Sequence, residues 1–216
     1  MKIALIVGST GLVGSELLKL LVENTEYDKI HVLVRRQIQF ESPKIIAHII
    51  NFDELDNFEP GTSIDHIFCT LGTTIKKAGT KENFRKVDYG YILTLGKMAK
   101  EWRTKKFLIV SSLGANAKSA IFYNRVKGEI ENALMELQLA HLFIFRPSLL
   151  MGNRLEHRGG EKTAIAIYKI INPLFFGKLK KYKGIQAQQV ARAMMETALI
   201  NNTPQKIFES DEIQDM

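Results

Sequence analysis

Short runs of β-branched and other apolar residues alternate along the chain with longer stretches whose apolar positions recur every three or four residues. The first run, Ile3 to Val7, is followed by a helical spacing of Leu12, Leu17, Leu18, Leu20 and Leu21. Further runs of strand character are Ile30–Val34, Ile45–Ile50, Ser63–Cys69, Lys106–Val110 and Leu142–Phe145. Between them, a long helix is expected over Lys81–Trp102, with Val87, Tyr91, Ile92, Leu95 and Met98 on one face, and another over Ala120–Leu137. Strands alternating with helices in this way predict βαβ units and an α/β, doubly wound parallel sheet. From Ser148 the alternation weakens. Lys162–Ile171 has helical spacing, Asn172-Pro173 interrupts it, Gln186–Ile200 predicts a last helix and Lys206–Glu209 an edge strand. No repeat or low-complexity linker divides the 216 residues, so one domain is expected over 1–216, with 148–185 as a lid or insertion on the substrate side.

Composition narrows the function classes. A net charge of +7 suits anionic ligands, but no nucleic-acid motif accompanies it. The basic aromatic stretch Lys178–Lys183, with Phe175, Phe176 and Tyr182, reads as a solvated loop. The single cysteine, Cys69, excludes an intramolecular disulfide framework and reads as a buried core thiol. The five histidines lack metal-ligand spacing, so no metal is expected. No apolar run is long enough to span a bilayer, and Ile3–Val7 is too short for a signal peptide, which makes a cytoplasmic location the expectation.

The turn after the first strand carries the clearest chemistry. Gly8, Gly11 and Gly14 form G-x-x-G-x-x-G between an apolar strand and a helix. Glycines so placed let the chain turn, let a pyrophosphate approach the backbone and let the helix pack on the sheet. The backbone of Gly8, Ser9, Thr10, Gly11, Leu12 and Val13 is therefore the candidate phosphate cradle, at the amino end of a helix. Where the second strand ends, an acid would bind the ribose of NAD, but Arg35 and Arg36 stand here instead. A guanidinium pairs with a 2′-phosphate, so NADP is expected in preference to NAD. Asn51 and Phe52 are candidates to flank the adenine, and Leu71 and Gly72 to lie along the ribose and phosphates.

Tyr123 and Lys127 stand four residues apart on a predicted helix and so share a face. An ammonium beside a phenol favours release of the phenolic proton, which makes Tyr123 a candidate general acid toward a carbonyl oxygen. Lys127 is also placed to hold the nicotinamide ribose. Ser111 or Ser112, at the preceding strand end, is a candidate donor to the substrate oxygen.

With the glycine turn, the strand-end serines and Tyr123/Lys127, the sequence resembles the short-chain dehydrogenase/reductase superfamily. A finer likeness is to its atypical, Tat-interacting-protein-like oxidoreductase branch. It rests on Val34-Arg35-Arg36, Leu71-Gly72-Thr73-Thr74 with Lys77-Ala78-Gly79, Val87-Asp88, Ser111 to Ala115, Tyr123 with Val126 to Glu129, and Arg146-Pro147. The resemblance implies a Rossmann fold, NADPH binding, a Ser/Tyr/Lys site with Ser111 as the serine and Ser112 as its fallback, and cofactor contacts from Arg146 and Pro147. The superfamily's Asn-Ala-Gly segment is replaced by Cys69-Thr70-Leu71-Gly72, and the chain is shorter than sugar-nucleotide-modifying members, so epimerase activity is not expected. Two functions are compatible with these features. One is an NADPH-dependent carbonyl reductase of a small anionic or amphipathic molecule. The other is an NADPH-binding sensor that acts through a protein partner without turnover. Long helices on the sheet faces are compatible with a homodimer.

Overall fold

In the computed structural model, which describes residues 1–152, 177–200 and 203–216, the apolar runs become one seven-stranded sheet. Its strands are β1 (Lys2–Val7), β2 (Tyr27–Val34), β3 (Ile45–Ile49), β4 (His66–Cys69), β5 (Lys106–Val110), β6 (Leu142–Arg146) and β9 (Gln205–Glu209). The order is β3-β2-β1-β4-β5-β6-β9, with every pairing parallel. This is the Rossmann arrangement. Strands covered on both faces read as unbroken apolar runs, and Ala4–Val7, Phe107–Ile109 and Leu142–Phe145 are almost wholly buried.

Side-chain alternation divides the core in two. Ala4 and Ile6 face α1 (Leu12–Glu23) and α6 (Ala187–Ile200), where they meet Leu17, Leu21, Val190 and Met194. Leu5 and Val7 face α4 (Ile92–Glu101) and α5 (Phe122–Glu136), where they meet Ile92, Leu95, Ile130 and Leu134.

The helix expected over Lys81–Trp102 runs unbroken over residues 81–101, though not as α-helix throughout. After the short α2 (Ile75–Ala78), α3 (Lys81–Arg85) runs into a π-helical turn, Lys86–Tyr91, before α4. A π turn adds a residue and rotates the helix beyond it, and such turns recur at functional sites. Phe84, Asp88 and Ile92 are buried here, whereas Val87 and Tyr91 are half-buried.

The segment expected as a lid is described only at its ends. β7 (Leu150–Met151) and β8 (Ile185–Gln186) form a two-stranded parallel ladder, and the amide of Ser148 donates to Ser210 Oγ at 3.1 Å. The expected helix at Lys162–Ile171, its Asn172-Pro173 end and the aromatic pair Phe175-Phe176 lie outside the described residues. In the basic stretch beyond them, Lys180 pairs with Asp215, and the Lys181 ammonium lies 5.3 Å from the Tyr182 ring centroid. A short helix, α7 (Ser210–Gln214), closes the chain.

Candidate active site at the carboxyl edge

The strand order reverses between β1 and β4, and the carboxyl ends of these two strands bound the crevice in which ligands of open α/β sheets bind. The glycine turn lies there. Gly8 has φ +89°, and a Cβ at this position would lie 2.6 Å from the Thr70 carbonyl carbon. A Cβ on Gly14 would lie 2.2 Å from Gly8 O. Thr70 fixes the approach, since its amide and its hydroxyl both donate to Val7 O, at 2.8 and 2.9 Å. Helix α1 starts from Gly11 with no side-chain cap and no acid in its first turn, which leaves its leading N–H groups for an anion. Ser9 Oγ is buried with no partner among the described residues. These features fit a dinucleotide pyrophosphate. The Val13 side chain belongs to the core under α1, which leaves only its backbone facing the turn. Gly152, near the start of the segment expected as a lid, sits on Leu12: a Cβ there would lie 3.0 Å from Leu12 Cδ1.

Arg35 and Arg36 come directly after β2. Both are exposed, and neither has a carboxylate partner among the described residues. Asn51 caps the short helix Phe52–Asn57: its Oδ1 accepts from Asp53 N at 3.1 Å, and its Nδ2 donates to Glu54. Phe52 is buried against Tyr91, with ring centroids 5.5 Å apart.

Farther along the same edge, Lys127 Nζ lies 2.8 Å from Asp88 Oδ1, and both side chains are buried, at 4% and 0% exposure. The other oxygen of Asp88 accepts from Thr73 N at 2.8 Å. The loop after β4 therefore rests on this pair, with Gly72 close above it: a Cβ there would lie 3.6 Å from Asp88 Oδ1 and 3.9 Å from Lys127 Nζ. Burial opposes the charge on Lys127, but Asp88 and then Tyr123 outweigh it and hold the ammonium above the ordinary lysine range. Tyr123 is half-buried one turn before, with its ring centroid 5.5 Å from that of Phe84. Beneath them, burial pushes the Cys69 thiol up to about 12, the property of an inert core thiol.

Two of the expected site residues, Ser111 and Arg146, have protein partners in this fold. The Ser111 hydroxyl donates to Glu131, a buried carboxylate on α5. Ser111 continues the β5 ladder through its amide, which donates to Phe145 O at 2.7 Å, so its side chain turns toward that helix. Ser112 is half-buried, and among the described residues its hydroxyl donates to the adjacent Leu113 carbonyl alone, at 3.2 Å. Arg146 is engaged from both sides: its Nη2 lies 2.5 Å from Glu131 Oε2 and its Nη1 2.8 Å from Glu209 Oε1. The hydrogen bonds from Glu131 first, opposed in part by burial, hold its guanidinium above the ordinary arginine range. Arg146 ties α5 and β6 to the end of β9. Pro147 O accepts from Leu113 N at 2.9 Å, which fixes the serine loop.

Asp88 and Glu131 are functional neighbours to which the sequence alone assigns no role. Their signal is an acid inside an apolar helical stripe, Phe84-Asp88-Ile92 on one helix and Lys127-Glu131 within Val126-Ile130-Leu134 on the other. No cluster of His, Cys, Asp or Glu able to hold a metal occurs among the described residues. No helix among them is long and apolar enough to cross a membrane.

Comparison with known proteins agrees with this geometry. Residues 37–182 match the HIM1 family model. Protein FMP52, mitochondrial, of Eremothecium gossypii is 34% identical over 97% of this chain and 95% of its own length. Protein HTATIP2 of Rattus norvegicus is 35% identical over 76% of this chain and 69% of its own length. Among solved structures, a short-chain dehydrogenase/reductase family oxidoreductase from Burkholderia thailandensis superposes with a TM-score of 0.74 at 12% identity, covering 99% of this chain and 93% of the other. The UDP-glucose 4-epimerase of Thermotoga maritima gives 0.71 at 16% identity, covering 95% of this chain and 75% of the other. At such identities the likeness bears on the fold alone. The cytoplasmic location expected from the sequence is overturned by the FMP52 relatives, which are named as mitochondrial proteins. With the family model matching more than half of its length, the chain belongs to the HIM1 family, and it is a relative of HTATIP2.

Proposed function

We propose that the protein is an NADPH-dependent reductase of a carbonyl compound. The observation that carries this reading is the buried Lys127–Asp88 pair, set beside Tyr123 and under the Gly72 loop at the same sheet edge as the glycine turn. A protein that only senses a dinucleotide gains nothing from a buried ammonium beside a phenol, and burying such a pair is costly. The backbone from Gly8 to Val13 would hold the pyrophosphate, Leu71 and Gly72 would border the ribose, and Asn51 and Phe52 would border the adenine. NADPH bound there would supply the hydride.

The chain's own groups do the rest. Tyr123 hands its phenolic proton to the substrate oxygen as negative charge develops there. Lys127, kept charged by Asp88, stabilises the phenolate left behind. We assign the orienting hydroxyl to Ser112, because that of Ser111 is taken up by Glu131. Ser112→Ala should then lower kcat by roughly 10- to 1000-fold with little change in unfolding midpoint. Ser111→Ala should keep most of the turnover and lower stability by about 1–2 kcal/mol, read by urea denaturation. The reverse assignment of the two effects would return the role to Ser111.

The preference for NADPH rests on Arg35 and Arg36. Arg35→Ala and Arg36→Ala should each weaken NADPH binding by about tenfold and leave NADH binding nearly unchanged, as measured by calorimetry. Equal effects on the two nucleotides would remove the basis for the preference. The reductase reading itself is tested by following NADPH absorbance with the full chain and a panel of aldehydes, ketones and quinones. Turnover on at least one compound class is expected. NADPH binding with no turnover across the panel would favour a sensor.

A further inference from the structure

At the opposite edge of the sheet, the amino ends of β1, β4, β5 and β6 border a cleft of about 330 Å3. Its polar lining is basic: Lys2, His66, Arg103, Lys105, Lys106 and His141. The strand register gathers these groups, since His66 on β4 stands beside Lys106 on β5. Two of the cations have carboxylate partners, Lys2 with Glu26 at 2.5 Å and Lys105 with Asp65 at 2.7 Å. Buried Lys106 has partners of its own, among them the Ala198 carbonyl, to which it donates at 2.8 Å. Arg103 has no carboxylate partner among the described residues. Arg103 thus adds a charge with no carboxylate partner among the described residues to a cleft already lined by three lysines, two of them ion-paired.

Arg103 shows how the chain is shaped toward this cleft. It has φ +53° at the position just after α4, where Thr104 N closes back on Ala99 O at 2.9 Å. That is the left-handed helix stop at which glycine is the usual residue. The imidazoles are also oriented. His141 Nδ1 faces the Thr203 carbonyl at 2.8 Å and therefore carries the proton, which leaves Nε2 to accept from a protonated oxyanion. His66 Nδ1 is engaged by the Tyr27 hydroxyl at 2.7 Å.

We propose that this cleft binds a phosphate group, either free as inorganic phosphate or pyrophosphate or carried by a lipid headgroup. Donors reach the concavity from β1, from the α4–β5 turn, from the start of β5 and from the turn before β6. Convergence on one small volume suits a multivalent oxyanion, whereas an extended nucleic-acid strand needs a stripe. The site is separate from the carboxyl edge and does not depend on the reductase reading.

The test is a titration of the isotope-labelled full chain with pyrophosphate at moderate salt, following backbone amides by NMR. Saturable shifts are expected at Lys2 and at Arg103–Lys106. Arg103→Gly should weaken them by about tenfold while raising the thermal midpoint by ~2–4 °C, because glycine fits the left-handed turn. The loss of binding then cannot come from unfolding. Arg103→Glu should abolish the shifts. In parallel, phosphatidylcholine vesicles with and without phosphatidic acid are floated with the wild type and with Arg103→Glu. Capture only by phosphatidic acid, lost in Arg103→Glu, assigns the phosphate to a lipid; pyrophosphate binding without capture assigns it to a free ion. Shifts confined to Gly8–Val13, or unchanged affinity in both Arg103 variants, would overturn the proposal.

Discussion

Replacing Asp88 with leucine is expected to lower the unfolding free energy by about 3–5 kcal/mol, the largest loss expected from any single change at the site. The substitution leaves the Lys127 ammonium buried without its counter-charge and takes the acceptor from Thr73 N. The loop after β4 loses its seat at the same time. Denaturant unfolding measures the effect, and a wild-type midpoint would show that the pair does not hold the structure. Asp88→Asn is the gentler probe, since it keeps an acceptor for Thr73 and removes only the charge. Burial is the largest single influence on Lys127 and acts to lower its proton affinity. Without Asp88 that influence is less opposed, so Lys127 should lose its proton at lower pH than in the wild type. If turnover needs the ammonium, the alkaline limb of the kcat/KM profile should move down in Asp88→Asn. An alkaline limb that stays in place would separate Asp88 from the chemistry.

The second large effect is on rate alone. Tyr123→Phe should reduce turnover by about 100- to 10,000-fold on any substrate that the wild type reduces. Stability should change by less than about 1 kcal/mol, because the ring is half-buried and its packing on Phe84 survives without the hydroxyl. Lys127→Met should cost a comparable factor, and the double variant little more, since the two groups act as one unit. Full activity in Tyr123→Phe would end the assignment of the proton donor. Cofactor binding in Tyr123→Phe should persist, because the glycine turn is untouched.

The sheet was legible because parallel strands covered on both faces carry little polar punctuation. Ala4–Val7 and Leu142–Phe145 could hardly be read otherwise, and the glycine turn identified itself by where it stood. The π-helical turn was not legible, because the residues from Lys81 to Trp102 keep a helical spacing whether or not one extra residue is accommodated. The choice between Ser111 and Ser112 turns on which way a side chain points just beyond the last strand residue, and spacing carries no record of that. The role of Arg146 was hidden for a different reason. Its partners Glu131 and Glu209 stand 15 and 63 residues away along the chain, and only the folded sheet makes them neighbours. Asp88 was visible as part of a family-like stretch, but its partner was not, because the sequence does not say which buried acid meets which buried base.

The short ladder between β7 and β8 has a consequence for engineering and descent. Paired strands stand about 5 Å apart, so the chain leaves the sheet layer and rejoins it at nearly one point. The Leu150–Ile185 and Met151–Gln186 pairs therefore fix where the chain departs after Met151 and where it returns at Ile185. A parallel pair needs a connection of a dozen residues or more, and beyond that the ladder sets no length. Exchanging residues 152–184 between HIM1 relatives, with both pairs kept, should yield folded chimaeras. If the reductase reading holds, substrate preference should travel with the exchanged segment while NADPH binding stays with the recipient, which turnover and calorimetry on the chimaeras would show.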